Sequence, residues 1–152
     1  MTPLFPVIST GVEKSLLLPL TVRQSSGNFI QKGAEMEKRR VAIFAFNSEP
    51  VVFAHCLLNG LGMQAQGWEV KVVIEGDATK QVSLLRNETK PFAALWQKAK
   101  SAGIIDCVCE ACARKNTVVP AVREQGLKLC NELEGHPSIG RYIEQGCQVL
   151  IF

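Results

Sequence analysis

From Val41 onward, short apolar runs of strand length alternate with stretches of helical period, and this alternation restricts the fold more than any other feature of the sequence. VAIFAF at 41–46 is a continuous apolar run, as found in a strand covered on both faces. The turn Asn47-Ser48-Glu49-Pro50 leads into a predicted helix in which Val51, Ala54, Leu58, Leu61 and Ala65 recur at three-to-four spacing, closed by Gly67. Further strands are expected at 69–76, 104–109 and 127–130 and in the closing CQVLIF. Helices are expected around Phe92, Leu95, Trp96 and Ala99, from Glu110 with a break at Pro120, and over 136–146 with proline in the first turn. Such alternation calls for a parallel sheet with helices on both faces. The expected fold is α/β, a three-layer α/β/α domain with a five-stranded, mainly parallel, flavodoxin-like sheet.

The first 35 residues stand apart, with three prolines and no sustained period. Met36 opens MEKRRVAIFAF, which reads like a protein start. Residues 36–152 are therefore taken as the domain, and 1–35 as an N-terminal extension, disordered or the product of a misassigned start. A cleavable targeting peptide draws only weak support from its few Ser and Arg. The segment SLLLPLTV is too short and too interrupted by proline to span a membrane.

Charge narrows the partners. Of 17 Lys/Arg and 14 Asp/Glu, residues 1–40 hold six and three, so the rest of the chain is balanced at eleven of each. A domain with no basic excess and few aromatics is a poor nucleic-acid binder. Six cysteines in a chain with an adequate core and no convincing signal peptide are read as free thiols in a reducing cytoplasm.

In open parallel sheets, ligands bind beyond the carboxyl ends of the strands. Asn47, Ser48, Glu75, Asp77, Cys109, Cys112 and His136 all fall in strand-to-helix turns or the first helical turn after one, and His55 lies about one turn into the first helix. Three cysteines cluster in VCEAC and the residues just before it, as C-x-C-x-x-C. Cys109 ends a strand and precedes a helix, where backbone N–H groups are expected to lower its pKa and raise its thiolate fraction. Cys112 follows one turn later. Cys107 is expected to lie deeper on the same strand face, and Cys56, Cys130 and Cys147 to be small core residues. A zinc or iron–sulfur site usually draws on two separated pairs of ligands. Here there is one cluster, with His55 or His136 as supplements, so no metal or cofactor is expected.

VCEAC (108–112), EGDATK (75–80), GHPS (135–138) and HCLLN (55–59) together resemble the DsrE/DsrF-like family of small sulfur-relay proteins. The resemblance covers about 38–152, and it implies a DsrE-like domain acting as a sulfurtransferase or persulfide carrier. Cys109 would accept sulfane sulfur and pass it to an acceptor thiol, with Cys112 as an auxiliary thiol that departs from the single-cysteine pattern. His136 and His55 are candidate proton carriers. Asn47, Ser48, Glu75 and Arg114 are candidate substrate contacts, with Lys80 and Lys115 as further charges able to attract an anionic donor. The implied partners are further copies of the chain in a homo-oligomer and sulfur donor and acceptor proteins, with neither nucleic acid nor membrane. Two alternatives stand beside this reading. One is a non-enzymatic small-anion or nucleotide-binding protein, against which FNSEP replaces a glycine-rich loop after the first strand. The other is a dithiol switch built from Cys109 and Cys112.

Overall fold

A computed structural model describes residues 38–152, and the expectations for 1–35 lie outside the described residues. Five strands, β1 (Arg40–Ala45), β2 (Glu69–Ile74), β3 (Ile105–Cys109), β4 (Leu129–Cys130) and β5 (Gln148–Ile151), form one sheet in the order β4-β3-β2-β1-β5. All four pairings are parallel. The helices are α1 (Pro50–Ala65), α2 (Thr79–Leu84), α3 (Ala93–Ser101), α4 (Glu110–Lys115), α5 (Val119–Glu124) and α6 (Ile139–Glu144). Helices on both faces make the expected three layers. The strand order reverses between β1 and β5, whereas the flavodoxin order 2-1-3-4-5 reverses between strands 1 and 3.

Successive side chains on a strand point to opposite faces, and here they separate two cores. Val41, Ile43, Ala45, Val72 and Ile74 pack with residues of α1 to α5 on one face. Ala42, Phe44, Val73, Cys107 and Cys130 pack with Tyr142 of α6 on the other. Residues 41–45 are almost wholly buried, as a strand covered on both sides requires. The α6 face is the thinner one: Phe46, stacked with Phe44, and Ile151 on β5 remain 37% and 64% exposed.

Helix α1 begins where the turn chemistry indicated. The Glu49 carboxylate accepts the Val51 and Val52 N–H groups, the former at 2.6 Å, and Pro50 occupies the first turn. Its buried face differs from the expected stripe. Phe53, Ala54, Cys56, Leu57 and Gly60 face the core, while Val51 and Leu58 are about half exposed. The helix is apolar nearly all round, so periodicity alone was ambiguous. Close approach decides it: a Cβ on Gly60 would lie 3.1 Å from Ile104 Cδ1. The segment 136–146 also differs. Only Ile139–Glu144 is helical, with Ser138 as its cap, and His136 belongs instead to a tight turn spanning Leu133–His136. Glu134 and Gly135 take φ of +49° and +93° there, the backbone of a hairpin turn.

Candidate functional site

Ile74 of β2 and Val108 of β3 are register partners. The next residues, Glu75 and Cys109, therefore leave neighbouring strands side by side at the carboxyl edge, and alternation turns both toward the α6 face. Both are buried. Two further groups join them: Cys112 from the first turn of α4, and His136 from the Leu133–His136 turn. One ligand-capable atom from each of Glu75, Cys109, Cys112 and His136 lies within 4.8 Å of the others. His136 Nδ1 is 3.2 Å from Cys109 Sγ, 3.9 Å from Cys112 Sγ and 3.9 Å from Glu75 Oε2. The Cys112 backbone N–H donates to Cys109 Sγ at 3.3 Å. Exposure rises from Glu75 and Cys109, which form the floor, to His136, whose side chain is 47% exposed at the mouth.

Small residues make the approach of these loops possible. The Ala111 N–H donates to the Gly135 carbonyl at 2.9 Å, and the Cys109 thiol faces the same carbonyl at 3.7 Å. A Cβ on Gly135 would sit 3.1 Å from Ala111 Cβ, so this contact and the positive φ both require glycine. Asn131 Nδ2 donates to Glu110 Oε2 at 2.8 Å and closes the same seam. On the other side, Asn116 Nδ2 donates to the Gly76 carbonyl at 3.1 Å and to Thr79 Oγ1 at 2.8 Å, clamping the loop that carries Glu75. Asn116, Ala111 and Gly135 were not among the candidates from sequence. Asn116 has no periodic or motif signal, whereas the other two lie inside the VCEAC and GHPS segments.

Electrostatics reverse one expectation. Burial raises the Cys109 pKa, and the neighbouring Cys112 thiol raises it further, which outweighs the single backbone N–H that lowers it. With only six residues, α4 brings few aligned peptides to Cys109. Cys109 therefore rests as a thiol and needs a base to become a nucleophile. Burial, reinforced by the charge of Glu132, pushes Glu75 up from 4.5 to about 7.

The remaining candidates divide. His55 is exposed on α1 and is not among the groups converging on Cys109. Asn47 accepts the Glu49 N–H at 2.8 Å, and the Ser48 carbonyl accepts from Gln81 Nε2, so both serve the turn before α1. Arg114 pairs with Glu110 on the outside of α4, and Lys80 pairs with Asp77. No contact links either cation to the thiols among the described residues.

The thiol inventory also needs correction. Cys107 and Cys130 are joined as a disulfide across the neighbouring strands β3 and β4. In parallel register, Cys130 projects onto the same face as Cys107 at a Cα–Cα distance of 5.8 Å, a separation a disulfide spans readily. Cys56 and Cys147 are the buried free cysteines away from the site. Beside the disulfide, the Tyr142 hydroxyl donates to Asp106 and accepts from Arg141 at 2.6 Å, tying α6 to β3.

No family model matches the sequence. The chain is 33% identical over 99 residues to the uncharacterized protein MJ0733 of Methanocaldococcus jannaschii, an alignment spanning 65% of this chain and 78% of that one. It is 55% identical over 29 residues to an uncharacterized protein of Archaeoglobus fulgidus, covering 19% of this chain and 78% of the other. In three dimensions it resembles BT1422 of Bacteroides thetaiotaomicron, a conserved protein of unknown function, with a TM-score of 0.59 and 16% identity over 74% of this chain and 94% of that one. The structural likeness bears on the fold alone, and it agrees with the layered α/β architecture.

Proposed function

This chain belongs to the family of MJ0733 from Methanocaldococcus jannaschii, and we propose for it a role in sulfur handling, as a persulfide carrier or sulfurtransferase of DsrE-like type. One observation carries the reading: Cys109 Sγ, at the carboxyl edge of a parallel sheet, lies 3.2 Å from His136 Nδ1. This is the nucleophile–base spacing that an otherwise protonated thiol needs. His136 takes the Cys109 proton as the sulfur attacks the outer sulfur of a donor persulfide. A Cys109 S–S bond forms, the donor S–S bond breaks, and the donor leaves as a thiolate that takes up a proton. The Cys112 N–H stays within reach of the charged sulfur during the exchange. An acceptor thiolate then attacks the terminal sulfur and regenerates Cys109. Cys112 offers a second exit: attack on Cys109 Sγ forms a Cys109–Cys112 disulfide and releases hydrosulfide.

Among the described residues, no helix is long and apolar enough to cross a membrane. A cytoplasmic location remains part of the proposal, as does partnership with donor and acceptor proteins rather than nucleic acid or membrane. Assembly into a homo-oligomer draws support from the exposed Phe46 and Ile151 on the thinly covered α6 face.

The test is intact-protein mass spectrometry of chelator-treated protein after incubation with polysulfide. Wild type should gain sulfur that reductant removes, Cys112→Ser should gain it too, His136→Ala should gain it more slowly, and Cys109→Ser should not. Sulfur uptake that persists in Cys109→Ser would overturn the assignment. A loss of two hydrogens that depends on Cys112, with no sulfur gained, would replace the carrier with a dithiol switch.

A further inference from the structure

The four groups at the carboxyl edge form a donor set that the sulfur chemistry does not need in full. Persulfide formation calls for a thiol and a base, but Glu75 contributes to neither. A carboxylate buried beside two thiols and an imidazole is an expensive arrangement to maintain, because each anion would sit among groups with no fixed positive charge. We propose that Glu75, Cys109, Cys112 and His136 form a binding site for a thiophilic divalent cation of the zinc type.

The chemistry of the donors selects the metal class. Two thiolates with one imidazole favour zinc over magnesium or calcium, which take oxygen ligands. The spacing fits as well. Zinc–sulfur bonds of about 2.3 Å and zinc–nitrogen bonds of about 2.0 Å put tetrahedral S···N edges at about 3.5 Å. The two S···N distances to His136 Nδ1, 3.2 and 3.9 Å, lie on either side of that value. The carboxylate oxygen, 3.9 Å from Nδ1, has to move in by about 0.6 Å to complete a tetrahedron with bonds near 2.0 Å.

Outer contacts are those a metal site uses. The Cys112 N–H already points at Cys109 Sγ, where it offsets thiolate charge. Asn116 and the Gly135–Ala111 contact hold the two loops that bring Glu75 and His136 together. The graded exposure provides an entry path past His136 and Cys112. The spacing carries no metal motif, because the ligands come from three separate segments of the chain with only the cysteines forming a pair. The proposal does not depend on sulfur transfer, but the two compete for one thiol: a metal-bound Cys109 is withdrawn from persulfide chemistry, and the metal-free form carries sulfur.

Cobalt(II) tests the site through its thiolate-to-metal charge-transfer absorption and the visible bands of tetrahedral coordination. Full-length reduced protein, stripped with chelator, is titrated with cobalt(II) and then with zinc(II). The expected result is saturable thiolate absorption that zinc displaces and that Cys109→Ser abolishes. Cys112→Ser and His136→Ala remove exposed or half-exposed groups and keep the test sound if the buried variant misfolds. Each should weaken binding by about 100-fold or more, the upper end of what losing an outer-shell partner alone costs. Glu75→Gln should weaken it while leaving the thiolate bands. The double variant Cys107→Ser/Cys130→Ser should bind as wild type does. Signal that disappears in that variant would move the site to the disulfide pair beside Asp106 and overturn the proposal, as would absent thiolate absorption in wild type. Sulfur uptake is read separately by mass on metal-free protein, so either proposal can fail alone.

Discussion

Replacing Glu75 with glutamine removes a titratable proton and leaves the shape of the floor almost unchanged. In the folded protein this carboxyl group titrates at about 7 because burial, assisted by Glu132, disfavours its charged form, whereas in the unfolded chain it titrates near 4.5. The folded state therefore holds the proton more tightly. Stability from this group is fully present below pH 4.5 and is lost as pH rises through about 7. The displacement is worth about 3 kcal/mol in full, and about 2–3 kcal/mol once partial screening by nearby solvent is allowed for. Chelator-treated Glu75→Gln should thus match wild type at pH 4 and exceed it by about 2–3 kcal/mol at pH 8. Urea denaturation at both pH values is the assay, with a rise in midpoint of about 1–2 M expected at pH 8. Equal stabilities at pH 8, or a variant weaker than wild type there, would show that the carboxylate is compensated in the fold and would refute the argument.

Gly135→Ala imposes a positive φ on alanine and drives its Cβ into Ala111. A destabilisation of about 1–3 kcal/mol is expected, together with slower Cys109 persulfidation as His136 swings away. Thermal melts and the mass assay check the two effects, and Gly140→Ala, which meets only Ser138 Oγ at 3.6 Å, serves as the mild control. Cys107→Ser/Cys130→Ser opens a link between residues 23 apart, for which loop closure predicts a loss of about 3 kcal/mol, read from urea unfolding without reductant. At pH 7 iodoacetamide should modify the half-exposed Cys112 well before the buried, proton-bound Cys109, and peptide mapping over a time course resolves the order.

The layered parallel architecture was legible in sequence because its signal is local. An uninterrupted apolar run of strand length such as 41–46, followed by turn residues, fits a strand covered on both faces, and residues 41–45 are that strand. Pro50 after Glu49 marks a helix start by backbone constraint and side-chain capping alone. The chemical edge was legible for a related reason: a parallel sheet carries its strand-to-helix turns at one end, so Glu75, Cys109, Cys112 and His136 could be assigned to it from their order in the chain. Tertiary structure decided the rest, because each remaining question depended on contacts between residues far apart in sequence. The helical surface α1 buries was set by the approach of Gly60 to Ile104, not by a period shared by all sides of an apolar helix. His136 faces Cys109, and His55 does not, because a hairpin turn locked by Gly135 against Ala111 presents it there. Cys107 meets Cys130 because β3 and β4 lie adjacent and Cys130, paired with Cys109, shares the face that Cys107 occupies two residues earlier. Cys109 is a thiol rather than a thiolate because burial, a property of the packed whole, outweighs the backbone amide that its sequence position supplied.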